Sequence, residues 1–185
     1  MSSTTYRVLV VCGSLRADSS NRGLIAMARR VAPASLRLEE FPIERLPFYN
    51  ADLDQLGSED AAALEWRAAV TAADALLVAT PEYNGHLPAV LKNAIDWATR
   101  PPGQHALTGK VITAMSSGGG GGGAKALQYV HGVMPFFGNS AVVEPAIELK
   151  KGADFLGPDG SCTDASVEIA VRERMANLLA ALEAR

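Results

Sequence analysis

Val8-Leu9-Val10-Val11-Cys12-Gly13-Ser14-Leu15-Arg16-Ala17-Asp18-Ser19-Ser20-Asn21 is the stretch that decides the fold. Residues 7–14 read as a fully apolar strand, the kind a parallel sheet buries on both faces. From about Ser20 to Val31, Leu24, Ile25, Ala28 and Val31 recur at helical spacing, with Ser19 or Ser20 as the N-cap. Between strand and helix lies a loop with little bulk and many donors. Ser14, Ser19, Ser20 and Asn21 offer hydroxyl and amide groups, Arg16 offers a charged fork, and the helix start adds free N–H groups. A strand, a donor-rich loop and a helix N-terminus in that order suit a phosphate monoester.

Working outward, the same unit recurs. Leu36 to Phe41 reads as a short, partly alternating strand near a sheet edge, and Pro42 to Gly57 as a long loop. Ser58-Glu59-Asp60 opens a helix through about Ala73, the hydroxyl acting as cap and the two acids complementing the dipole. Ala75 to Thr80 is a third strand, followed by a helix from Pro88 to about Trp97 that Arg100-Pro101-Pro102-Gly103 breaks. Lys110 to Met115 is a fourth strand, followed by a helix from about Ala124 to Phe136. Ala141-Val142-Val143 with Ile147 supplies a fifth strand, Gly152 to Cys162 is turn-rich, and Asp164 caps a last helix through about Leu182. The apolar face of that helix reads as Val167, Ile169, Val171, Met175, Leu178, Leu179 and Leu182. Five βα repeats predict an α/β domain: a doubly wound five-stranded parallel sheet with helices on both faces and right-handed crossovers.

Bulk properties agree with a single domain over residues 1–185. The chain is 48% hydrophobic and 20% charged, with a formal net charge of -3, which gives no electrostatic footprint for nucleic acid. No apolar run approaches the roughly 20 residues of a membrane helix, and the N-terminus does not read as a secretory signal. Cys12 and Cys162 form no C-x-x-C pair, and His86, His105 and His131 do not cluster, so neither a disulfide nor a metal site is expected. These features predict a cytoplasmic, metal-independent protein.

Two further loops follow apolar strands. Pro81-Glu82-Tyr83-Asn84-Gly85-His86-Leu87-Pro88 puts a rigid turn, an acid, an aromatic and an amide at a strand end. A planar ring could lie along that backbone, its polar edge read by main-chain groups. Tyr83 also reads as a half-buried packing residue and Glu82 as a solvated charge, while Ile95 and Trp97 read as core or interface residues. Ser116-Ser117 and the run Gly118 to Gly123 form the third loop. Loops at the carboxyl ends of parallel strands border one crevice, so the three together make a site. No P-loop motif is present. The glycine run matches G-x-G-x-x-G with Glu144 about 20 residues on, but six consecutive glycines satisfy any glycine pattern. A dinucleotide site there is the minority reading.

Gly13-Ser14-Leu15-Arg16 with Ser20-Asn21, then Thr80-Pro81-Glu82-Tyr83-Asn84 with Leu91-Lys92-Asn93-Ala94-Ile95-Asp96-Trp97, resembles the NADPH-dependent FMN reductase family, which includes quinone, azo-dye and chromate reductases. The resemblance spans essentially the whole chain. It implies a flavodoxin-like fold with strand order 2-1-3-4-5, and non-covalent FMN with NADPH or NADH as co-substrate. It implies that Ser14, Arg16, Ser20 and Asn21 hold the FMN phosphate, and that Pro81, Glu82, Tyr83 and Asn84 line the isoalloxazine. Ser116, Ser117 and Gly118 would flank the ring and ribityl chain. The glycine tract is purer than in family members, and Lys125 stands near where they often carry an arginine. The reaction expected is hydride transfer from NAD(P)H through FMN to a small-molecule electron acceptor such as a quinone, free flavin, azo dye, nitroaromatic or chromate. The flavin carries the chemistry, so no catalytic side chain is expected. The rival reading is an FMN-binding electron carrier or regulatory module without reductase turnover. The apolar third helix adjoining the ring loop, together with the resemblance, predicts a homodimer or homotetramer.

Overall fold

The computed structural model describes residues 4–54, 60–100, 102–103 and 105–185. Its strands are β1 (Tyr6–Cys12), β2 (Leu36–Glu40), β3 (Ala75–Thr80), β4 (Val111–Gly118), β5 (Ser140–Val142) and β6 (Glu148–Lys150). They form one parallel sheet in the order β2-β1-β3-β4-β5, with β6 also paired to β4. The expected order is present, but the sheet has six strands. β5 stops after pairing Val111, Ile112 and Thr113, and β6 takes over beside Ser116, Ser117 and Gly118. The edge position is thus shared by two short strands, because the chain leaves the sheet at Val143 and returns at Glu148.

Strand alternation divides the core between two faces. Val8, Val10 and Cys12 pack with Leu77, Ala79 and Met115 beneath α1 (Ser20–Val31) and α5 (Ala165–Glu183). Leu9, Val11, Leu76, Val78, Ile112 and Ala114 face α2 (Ala61–Ala72), α3 (Ala89–Ala98) and α4 (Ala124–Val133). The α2 cap is Asp60, whose carboxylate accepts from the Ala62 and Ala63 N–H groups. Ser58 and Glu59, read above as cap and first-turn acid, lie outside the described residues, as does Pro101 of the predicted helix break. No helix among the described residues is long and apolar enough to cross a membrane.

Three features differ from the sequence reading. The long loop after β2 is anchored, since Ile43 and Leu46 are buried and Pro47 O accepts from Asn93 Nδ2 (2.9 Å) and Trp97 Nε1 (2.8 Å). Asn93 Oδ1 also accepts from the Tyr49 N–H at 2.8 Å. Asn93 and Trp97 of the Leu91–Trp97 motif therefore spend their polar groups inside the subunit, and Leu91, Ala94, Ile95, Trp97 and Ala98 of α3 are buried. Ile169 is 66% exposed rather than part of the α5 core face. In its place, Arg174 is buried, at 1% exposure. Its guanidinium donates to Thr113 Oγ1 and Ala114 O (2.9 Å each), to Val142 O (3.1 Å), and to the carbonyls of Val143 and Pro145. One cation thus satisfies the carbonyls freed where β5 leaves the sheet. Burial lowers the Arg174 pKa to about 10, which still leaves it charged at neutral pH.

Candidate functional site

At the carboxyl ends of β1, β3 and β4 the chain encloses a cleft of about 490 Å³. Ser14, Arg16, Ser20, Asn21, Pro81, Glu82, Tyr83, Ser117 and Gly118 all line it, so most of the predicted residues converge. Ser19, Gly119, Lys151, Ala153 and Asp154 complete the lining.

The first wall is the β1–α1 loop. Ser19 caps α1, its hydroxyl accepting from the Asn21 N–H at 3.2 Å. The Cys12 thiol donates to Ser14 O at 3.4 Å, and burial pushes its pKa up, so it stays a neutral donor that fixes the loop. Arg16 is exposed and reaches only Asp18 O (3.0 Å) among the described residues, so its charge is available to a ligand. Arg22 donates to Arg16 O at 3.2 Å and lies 3.5 Å from the Glu40 carboxylate, which binds it to the edge strand and away from the cleft.

Asn21 and Ser20 join this wall to the third loop. β3 ends where Thr80 pairs Ser116, so Ser117 has no strand on that side. Asn21 substitutes for one. Its Nδ2 donates to Ser117 O at 2.7 Å, and its Oδ1 accepts from the Ser117 N–H at 3.0 Å. Ser20 and Ser117 share a hydroxyl hydrogen bond of 2.7 Å. Asn21 was expected on the phosphate, yet its amide is occupied by the protein backbone. Ser116 lies deeper, donating to Thr80 O at 2.6 Å, and does not line the cleft.

In the second loop Pro81, Glu82 and Tyr83 face the cleft and Asn84 does not. Asn84 (φ 53°) and Gly85 (φ 76°) are the two central residues of a tight turn, closed by paired Tyr83–His86 backbone hydrogen bonds of 3.0 Å. That is the Asn-Gly signature of a type I′ hairpin, so Asn84 serves turn geometry. Glu82 is not a free surface charge. Its carboxylate accepts from the Lys125 N–H at 3.0 Å at the start of α4, where the glycine tract offers no side-chain cap. Gly123 explains part of that tract: with φ 94°, an added Cβ would sit 1.7 Å from Ser116 Oγ. Gly119 and Gly120 meet nothing within 4 Å. The tract follows β4 rather than β1, and Glu144 is not part of the cleft, which removes the dinucleotide reading. His86 stacks on Tyr129 at 4.8 Å, outside the cleft.

Ser19 takes the Asn21 N–H on its hydroxyl and the Arg22 and Gly23 N–H groups on its carbonyl, so the helix start offers the Ser20 N–H and its dipole rather than several free N–H groups. Serine hydroxyls, the Arg16 guanidinium and a slot between Pro81-Tyr83 and Gly118-Gly119 complete what the cleft offers. Phosphate and planar ring both have fitting donors and space. The fourth segment, Lys151 to Asp154, escaped the sequence reading; the pair Lys150-Lys151, just before the stretch Gly152 to Cys162 read as turn-rich, was its signal.

Comparison with known proteins agrees with this geometry. The model of the NADPH-dependent FMN reductase family matches residues 6–154. An NAD(P)H-dependent FMN reductase of Pseudomonas aeruginosa is 33% identical over 174 residues, covering 94% of this chain and 93% of that protein. A 2-hydroxy-1,4-benzoquinone reductase of a Burkholderia species is 35% identical over 157 residues, 84% of each chain. Among solved structures, the flavoenzyme NAD(P)H:(acceptor) oxidoreductase FerB of Paracoccus denitrificans superposes with a TM-score of 0.86 at 31% identity, covering 97% of this chain and 98% of that one.

Proposed function

The chain belongs to the NADPH-dependent FMN reductase family, and from that premise we propose that its cleft holds the FMN phosphate at the start of α1 and the ring along Pro81-Glu82-Tyr83, and that quinones are its acceptors. The protein is an NAD(P)H-dependent flavin oxidoreductase with the flavodoxin-like fold. FMN, when bound, supplies the hydride-accepting and electron-donating chemistry.

The chain's own residues bind and orient. Ser14, the Ser20 hydroxyl and N–H, and the positive end of the α1 dipole face a phosphate, and Arg16 adds a full positive charge. Asn21 and Ser117 hold the first and third loops at a fixed spacing. Glu82 ties the second loop to the start of α4. Gly118 and Gly119 leave the slot free of side chains, and Tyr83, 49% exposed, stands at its mouth.

The observation that carries the reading is the convergence of these three loops on one cleft. Quinone acceptors are supported by the 2-hydroxy-1,4-benzoquinone reductase relative. The electron-carrier alternative is not favoured, since reductases are the relatives that align over most of the chain. A cytoplasmic setting fits the dependence on NAD(P)H. A second subunit forming a dimer or tetramer remains part of the proposal, though on a different basis from α3. Tyr83 at the cleft and Tyr129 (43% exposed), stacked on His86 of the second loop, leave apolar surface there.

One open slot must serve NAD(P)H and then the acceptor, so the two exclude each other. Initial rates with NADPH and 1,4-benzoquinone varied together give parallel double-reciprocal plots. Intersecting plots would contradict a shared face, and a holoprotein that oxidises no NADPH with any quinone would remove the acceptor class.

A further inference from the structure

The fourth wall of the cleft carries charge that the first three do not explain. The Lys151 N–H donates to Gly119 O at 3.1 Å, fastening the turn after β6 to the glycine tract. Gly152 packs so closely on the third loop that an added Cβ would lie 2.1 Å from Ser117 Oγ. Ser117 in turn bonds Ser20, the first residue of α1. These contacts bring Lys151, Ala153 and Asp154 to the rim beside the helix N-terminus, the part of the cleft suited to phosphate.

Lys151 is also conformationally unusual. Its φ of 50° and ψ of 35° are left-handed, a region that glycine fills by default. The glycine stands one position later, at 152, where close packing demands it. A lysine is thus kept in an unfavourable conformation at the cleft, the kind of backbone outlier that clusters at ligand clamps. Its side chain makes no ion pair or hydrogen bond with the described residues. Arg16 and Lys151 are the cations of the lining, and Glu82 and Asp154 its carboxylates. Without Lys151 the lining would carry net negative charge, a poor host for a phosphate ester near two negative charges.

Resting on the FMN reading above, we propose that Lys151 is a second phosphate-binding cation of this cleft, acting from a different wall than Arg16, and that Asp154 opposes it. The phosphate ester concerned is the FMN 5′-phosphate or the 2′-phosphate of NADPH, and the test separates the two. Lys151→Gln, Lys151→Arg and Asp154→Asn are compared with the wild type. FMN and riboflavin are titrated into each apoprotein at low and high salt, and kcat/KM is measured for NADPH and NADH on each holoenzyme.

An exposed lysine is partly screened, so Lys151→Gln weakens FMN about fivefold at low salt, with the effect shrinking at high salt. Riboflavin is unchanged, Lys151→Arg restores binding, and Asp154→Asn tightens FMN. If FMN holds constant while kcat/KM falls for NADPH and not NADH, Lys151 still binds phosphate, that of the nicotinamide cofactor. Equal losses for FMN and riboflavin, or no change toward FMN and NADPH alike, overturn the proposal. Failure of the FMN reading itself would appear earlier, as a wild type that binds neither flavin.

Discussion

Asn21→Ala separates the role the sequence implied from the one the structure gives. Asn21 and Ser117 are each 2% exposed, and the Asn21 amide satisfies both the N–H and the C=O of Ser117. Removing it strands two buried backbone groups, each costing about 1–3 kcal/mol. Water entering from the neighbouring cleft recovers part of this, which leaves a loss of about 2–4 kcal/mol. For a domain of this size that corresponds to a fall of roughly 5–15 °C in Tm. Urea and thermal unfolding of the apoprotein read the loss directly. Asn21→Asp keeps the acceptor for the Ser117 N–H but sets a carboxylate against the Ser117 carbonyl, so it is destabilised as well. Because Asn21 spaces two loops and does not itself grip a phosphate, both variants weaken FMN and riboflavin by the same factor. Unchanged stability with a loss confined to FMN would refute this and return the Asn21 amide to the phosphate.

Arg16 is expected to behave in the opposite way. Its side chain is exposed and has no carboxylate partner among the described residues, so Arg16→Ala leaves Tm within about a degree while weakening FMN about tenfold, the low end of a charge-assisted hydrogen bond. Riboflavin affinity is unaffected, and isothermal titration with both ligands checks it; equal losses would make Arg16 a loop-shaping residue. For the assembly, light scattering at micromolar protein gives a multiple of the 19.4 kDa subunit mass, and a mass near that of one subunit would refute the dimer or tetramer.

Most of the fold was legible because periodicity and punctuation agree. The apolar runs of β1, β3 and β4 read as strands buried on both faces, and the first two are followed by helices with a serine cap or a proline at their start. The split edge was harder. Three-residue strands carry little pattern, and Ala141-Val142-Val143 with Ile147 reads as a single strand. Yet Arg174 was a visible sign, since it falls in the stripe Val167, Val171, Met175, Leu178 and Leu182 that α5 buries. A charge in such a stripe must find partners, and here they are the carbonyls of the break between β5 and β6.

At the site, strand ends told which loops meet, because parallel topology alone fixes that. They could not tell which groups within a loop are already used. Asn84 read as a ring contact because Asn-Gly was weighed for its amide and not for its turn. Glu82 read as solvated because its partner, the Lys125 N–H, is 43 residues away. Lys151 was missed because β6, which brings it to the cleft, was missed.

Whether the cleft holds a flavin that NAD(P)H reduces is decided by the visible spectrum of the protein with FMN, before and after anaerobic addition of one equivalent of NADPH. The protein is expected to quench FMN fluorescence, carry the flavin through gel filtration, and lose the flavin absorption band when NADPH is added, with the band returning on addition of a quinone. A protein that leaves FMN fluorescence unquenched and elutes colourless, or that binds FMN but leaves it oxidised under excess NADPH and NADH, would contradict it.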